Sequence, residues 1–230
     1  MATPDETAAA VAALDDLTRR LRRECPWDRE QDERSIVPHT VEEAYELADA
    51  VERGDDAKMV DELGDVLFQV HFLALLLEER GAGDLAQVAE HCRQKLIRRH
   101  PHVFGEVEAQ TAGQVLRNWD AIKEGEDGRE RGIFAEVPEN LPALLYARKV
   151  QRRAASAGRE EGVKSFLLRS AATSKDIDPL AGDSAPDAGS FREIGDRLFA
   201  LVDEARRMRV DPELALRDAA RRFRDDIGDE

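Results

Sequence analysis

The chain has 230 residues, enough for one large or two small domains, and its 49 acidic against 34 basic residues give a formal charge of -15. That charge opposes nonspecific binding to nucleic acid or to an anionic membrane surface, so a polyanionic ligand would need bound cations or a local basic patch. No apolar run is long enough to span a bilayer, residues 1–13 lack the basic start and apolar centre of a signal peptide, and Cys25 and Cys92 lie far apart without metal-ligand spacing. A cytoplasmic location and reduced thiols are the expectation.

Apolar spacing is helical almost throughout, and aromatic and β-branched residues are too few and too poorly alternated for a sheet, which predicts an all-α fold. Leu14, Leu17 and Leu21 mark a first amphipathic helix. It stops before Cys25-Pro26-Trp27-Asp28, a tetrapeptide expected in a loop because proline disfavours helix at the residue before it. A second helix is predicted from Thr40, where Thr40-Val41-Glu42-Glu43 reads as a capping box, to about Arg53, with Val41, Ala44, Tyr45, Ala48 and Val51 inward. Gly54-Asp55-Asp56 ends it.

The next helix, about Ala57 to Glu79, is expected to bury Leu63, Val66, Leu67, Val70, Leu73, Ala74 and Leu77, forming an antiparallel hairpin with the second. A fourth, about Asp84 to Arg99, places Leu85, Val88, Ala89, Cys92 and Leu96 inward and ends at His100-Pro101. Thr111 to Lys123 reads as a short helix. The charged, glycine-rich residues 125–137 form the predicted linker between a unit at 1–124 and a second helical unit at 138–230. In that second unit, helices are expected near 141–157, 191–208 and 212–227, the last capped by Asp211 with Pro212 at its first position. Residues 170–190 have too little apolar content to order a core and are expected to be flexible.

Chemistry concentrates in the hairpin. Glu43-x-x-Glu46 puts two carboxylates on one helical face, with Glu42 and Asp49 flanking, and Glu62-x-x-Asp65 repeats the arrangement on the next helix. Converging carboxylates repel unless cations or protons relieve them, and magnesium, which prefers oxygen ligands and keeps several waters, is the natural occupant. No His or Cys stands at ligand spacing beside these pairs, which argues against zinc. His91, Arg93, Lys95, Arg98, Arg99 and His100 make a basic cluster in an otherwise acidic chain. Lys95 and Arg99 share a face as donors for phosphates, although cations there also complement the negative end of the helix dipole. His71 reads as a packed core histidine, and Trp27 and Trp119 as aromatics that pack or stack on a base.

These segments together resemble the MazG family of nucleoside triphosphate pyrophosphohydrolases. The residues that carry the resemblance are Cys25-Pro26-Trp27-Asp28, Thr40 to Glu46, Asp61 to Val70, Lys95 to Phe104 and Asn118 to Lys123, in the family's order across residues 14–150. The resemblance implies an all-α MazG-like helical bundle and a cytoplasmic enzyme of nucleotide metabolism. It implies hydrolysis of the α-β phosphoanhydride of a nucleoside triphosphate to monophosphate and pyrophosphate. Its implied cofactor is Mg2+, with Mn2+ as the alternative, and Glu43, Glu46, Glu62 and Asp65 are the implied metal ligands. Of these, Glu43 or Glu46 would orient or deprotonate the attacking water, while Lys95, Arg99, Trp119 and Lys123 would contact the nucleotide.

The family's helical units pair, so a homodimer is implied, with no nucleic acid or membrane partner. Leu141 to Lys149, Glu193-Ile194-Gly195-Asp196 and Arg217 to Asp226 resemble pieces of a second MazG-like unit. The ExxE helix that should precede Glu193 is missing, which makes this unit a degenerate one. Two alternatives accompany the main expectation: a noncatalytic nucleotide-sensing or protein-binding regulatory module, and a narrower-substrate pyrophosphatase of the same helical superfamily.

Overall fold

In the computed structural model the described residues are 2–126, 132–135, 137–171 and 188–227, and every regular element among them is a helix. The all-α expectation holds. The helices are α1 Pro4–Glu24, α2 Pro26–Glu30, α3 Glu33–Arg53, α4 Asp56–Glu79, α5 Leu85–Arg99, α6 Pro101–Phe104, α7 Ala112–Glu124, α8 Ala143–Ser156, α9 Glu160–Ala171, α10 Ala188–Met208 and α11 Pro212–Ile227. They divide into two compact units, Met1–Val107 and Glu108–Glu230. The division falls before α7, whereas the sequence placed its linker after it. The flexible stretch expected within 170–190 lies mostly outside the described residues.

Several helix boundaries differ from the sequence expectation for identifiable reasons. Cys25-Pro26-Trp27-Asp28 is no loop: Pro26 opens α2 at a first helical position, where its missing N–H would have no partner anyway. Helix α3 starts at Glu33, seven residues before Thr40. Its cap is Asp32, which accepts from the Ser35 N–H at 2.8 Å while the Ser35 hydroxyl accepts from the Asp32 N–H at 2.9 Å. Pro38 sits inside this helix, and Thr40 donates its hydroxyl to the Ile36 carbonyl at 3.3 Å instead of capping. The sequence had no helix at α9.

The hairpin of α3 and α4 is the most extensive helix pairing of the first unit. Its turn is set by Gly54, left-handed at φ 66°, and by Asp55, whose carboxylate caps α4 at the Lys58 N–H. Helix α1 packs on α4, and two arginines clamp its far end. Arg19 is bidentate to Glu78 at 2.9 and 2.6 Å, and Arg22 is bidentate to Glu79 at 2.9 and 2.8 Å. Ile36, Phe72 and Leu76 form the buried core, with Phe68 and Leu73 against it.

The inward faces differ from expectation. Helix α4 buries Glu62, Gln69, His71, Phe72, Ala74, Leu75 and Leu76, whereas Leu63, Leu67 and Val70 point to solvent. Val41, Ala44 and Val51 of α3 and Val88, Ala89, Cys92 and Leu96 of α5 are also exposed. Helix α4 is apolar around most of its circumference, and within the first unit it is covered where it meets α1, α3 and α5.

In the second unit α8, α9 and α10 pack on one another and α11 packs on α8 and α10. Gln151 is buried and donates to the Phe199 carbonyl at 2.7 Å, and Phe166 meets Phe199 edge to face at 5.3 Å. Asp211 caps α11 as expected, accepting from the Glu213 and Leu214 N–H groups.

Candidate metal centre and membership of a family

Glu62 occupies the buried stripe of α4, seven residues before Gln69, ten before Phe72 and fourteen before Leu76, so the periodicity that builds the core also buries this carboxylate. Its relative exposure is 0%. Asp65, three residues on, lies at the exposed edge of the same helix, and Glu43 comes across the hairpin from α3, half-buried. One carboxylate oxygen from each of Glu43, Glu62 and Asp65 lies within 4.8 Å of the other two. Among the described residues this is the group of three or more acidic, His or Cys side chains placed to hold a cation.

The electrostatics match the crowding. Burial, followed by the charges of Asp65, Glu46, Glu62 and Glu42, pushes the Glu43 carboxyl above the usual glutamate range. Neither oxygen of Glu62 accepts a directed hydrogen bond. A buried carboxylate in that condition is costly unless a cation reaches it. The Lys58 ammonium does so as an ion pair with Oε1 of Glu62, one turn earlier on α4, and it also donates to Asp61 at 3.1 Å. Those two carboxylates raise the Lys58 pKa above the ordinary lysine value. The donor set is all oxygen, crowded, incompletely paired and fixed on two helices, which fits a hard divalent cation.

Glu46 is exposed on α3, one turn beyond Glu43, and the structure does not bring it into the convergent group, although its charge acts on Glu43. Lys95 and Arg99 lie on α5, which packs on the α4 helix that carries Glu62 and Asp65. Arg99 is buried and Lys95 half-buried. Trp119 and Lys123, both half-buried, belong to α7 in the second unit. His71 is buried with Nδ1 3.5 Å from the Asp15 carboxylate and takes no part in the acidic group, as its apolar neighbours suggested. Trp27 is half exposed, its ring edge to face with His39 at 5.9 Å. Cys25 and Cys92 are free thiols.

Sequence reasoning missed Lys58. The signal was the Lys58-x-x-x-Glu62 spacing, a common surface pairing whose weight here comes from the burial of Glu62.

Residues 31–104, which contain Glu42, Glu43, Glu46, Lys58, Asp61, Glu62 and Asp65, match the model of the MazG nucleotide pyrophosphohydrolase domain. The chain is 39% identical over 207 residues to the nucleoside triphosphate pyrophosphohydrolase/pyrophosphatase MazG of Thermotoga maritima, covering 86% of this chain and 76% of that one. It is 37% identical over 205 residues to the nucleoside triphosphate pyrophosphohydrolase of Escherichia coli K12, covering 86% and 77%. A crystal structure of a mazG-related protein from Thermotoga maritima aligns with TM-score 0.43 and 24% identity, over 49% of this chain and 97% of that one. With identity of that order spread over most of both chains, this protein belongs to the MazG family of nucleotide pyrophosphohydrolases and is a hydrolase.

Proposed function

We propose that the chain hydrolyses nucleoside triphosphates at the α-β phosphoanhydride, giving a nucleoside monophosphate and pyrophosphate, with Mg2+ held by Glu43, Glu62 and Asp65. The observation that carries this reading is the buried Glu62 carboxylate, without a directed hydrogen bond, converging with two further carboxylates in a chain of this family. When bound there, a divalent ion neutralises phosphate charge and acidifies the attacking water.

The chain's own residues do the rest. Glu43 is one of the two carboxylates of α3 placed to orient the attacking water or to take its proton. Glu46, one turn away, is the flanking carboxylate that completes the acidic field and is the alternative base or an additional ligand. Lys95 and Arg99 bind the phosphate oxygens, with Arg99 offering a planar fork for bidentate contact. Water adds to one phosphorus of the α-β bridge as the bridging oxygen leaves with the other, so the base yields its proton to the products.

The active species in this reading is a homodimer. Support comes from the exposed Leu63, Leu67 and Val70 of α4 and Val41 of α3, apolar side chains that a second copy would cover. The second unit carries Glu193 and Asp196 on α10, both half-buried and outside any acidic group of three among the described residues, so it serves as a degenerate, noncatalytic unit. No helix among the described residues is long and apolar enough to cross a membrane.

The test is a product assay across the common ribo- and deoxyribonucleoside triphosphates with Mg2+, resolving phosphorus species by 31P NMR. Pyrophosphate and monophosphate in equal amounts are expected. Orthophosphate and a nucleoside diphosphate as the direct products would overturn the assignment of the bond.

A further inference from the structure

Lys58 is the cation that reaches the most buried carboxylate of the acidic group, and nothing in the reaction described above uses it. Its position is set by the fold. Asp55 caps α4 at the Lys58 N–H, which fixes the first turn of the helix, and four residues on, Glu62 stands on the same face. The ammonium therefore reaches down one turn to a side chain that the core stripe holds away from solvent. The Lys58 side chain is itself half exposed, and it has a second acceptor in the well-exposed Asp61, at 3.1 Å. One acceptor is buried and crowded by Glu43 and Asp65, and the other is open to water.

A lysine ammonium and a divalent ion want the same thing from Glu62, namely a carboxylate oxygen at close range. They repel each other at that distance. We propose that Lys58 is a built-in competitor for the metal centre, a residue that holds Glu62 until a divalent ion takes its place and then retreats to Asp61. It is a positioning and affinity-setting residue: it keeps the buried carboxylate neutralised and in place during folding, and it weakens metal binding by the strength of one part-exposed ion pair. The inference rests on the assignment of Glu43, Glu62 and Asp65 as metal ligands.

The competition has a size. A part-exposed ion pair that must open on loading lowers affinity by about 2- to 10-fold. The experiment is isothermal titration of the full chain with Mn2+ at fixed ionic strength, for wild type, Lys58→Met and Arg53→Met. The last variant removes the same positive charge from the same hairpin, where Arg53 pairs with Asp49 and not with Glu62. Lys58→Met is expected to bind Mn2+ about 2- to 10-fold more tightly than wild type, and Arg53→Met within 2-fold of it. In parallel, acetylation of the Lys58 amine in the wild-type chain, followed by mass spectrometry, should quicken on addition of Mn2+ as the ion pair opens.

Unchanged or weaker binding by Lys58→Met would overturn the proposal, and so would equal tightening by Arg53→Met, which would make the effect one of net charge. Should Lys58→Met fail to fold by circular dichroism, the acetylation rate in wild type decides alone, and a rate indifferent to Mn2+ overturns it. A folded wild-type chain that binds no Mn2+ would instead remove the metal assignment, and this inference with it.

Discussion

The most buried carboxylates among the described residues are Glu62 on α4 at 0% exposure and Asp203 on α10 at 1%, and their surroundings differ in kind. Oδ1 of Asp203 accepts from Arg206 through Nε at 3.1 Å and Nη2 at 2.7 Å, and its other oxygen pairs with Arg207. Two guanidinium groups thus meet one acid. Around Glu62 the ratio is inverted, with one lysine for a carboxylate that has two further acids within 4.8 Å and no directed hydrogen bond. The contrast separates a buried charge that the fold has satisfied from one that it has left short of cations. The satisfied charge of Asp203 is closed within its own helix, α10. A charge left short of cations is a place for a ligand to bind.

The sharpest way to break the comparison is to remove each acid in turn. Glu62→Ala or Asp65→Ala should lower pyrophosphate release by roughly 100- to 1,000-fold, the scale of losing one strong electrostatic contact to a transition state. The far-ultraviolet dichroism should stay that of a helical protein, because the deletion relieves repulsion among the acids as well as opening an ion pair. Steady-state assay of purified, folded variants checks it. Near-normal turnover would take these residues out of the site.

Asp203→Ala should do the reverse. It strands Arg206 beside a buried gap, and thermal or urea unfolding should show a loss of about 1–3 kcal/mol, discounted for the exposure of Arg207. Turnover per folded molecule should stay within 2-fold of wild type. A large drop in turnover with stability intact would give the second unit a part in the chemistry and dissolve the contrast.

The residues that were legible in the sequence are those whose meaning is local. Glu43, Glu46, Glu62 and Asp65 announce themselves by three-residue spacing on consecutive helices, and Gly54-Asp55 announces the hairpin turn by its conformational and capping chemistry. Asp211 and Pro212 likewise mark the start of α11. Boundaries were lost where two starts compete: the capping-box pattern of Thr40 to Glu43 suggested that α3 begins at Thr40, when the Asp32 and Ser35 cap had already started the helix and Pro38 stands inside it. Helix α9 went unread between the helix expected near 141–157 and the apolar-poor residues 170–190, because its first half, Glu160 to Ser165, offers only Val163 to mark a period.

Burial was the least legible property. Leu63, Leu67 and Val70 have the same hydropathy as Leu75 and Leu76, and on a helix apolar nearly all round, periodicity cannot say which face meets its own chain. The same limit hid the difference between Glu46, which stays outside the convergent group, and Glu62, which lies at its centre. Spacing alone makes them equivalent, and only the packing of α4 against its neighbours separates them. Lys58 gained its significance in that same step, from the burial of its partner.

The central claim is that the acids left short of cations in the first unit, and not those of the second, form the metal centre. Anomalous diffraction at the manganese edge, from crystals of the full chain soaked in Mn2+, locates the ion directly. The account predicts a peak bounded by the carboxylates of Glu43, Glu62 and Asp65. A peak at Glu193 and Asp196, with those three carboxylates making no contact to manganese, would contradict it.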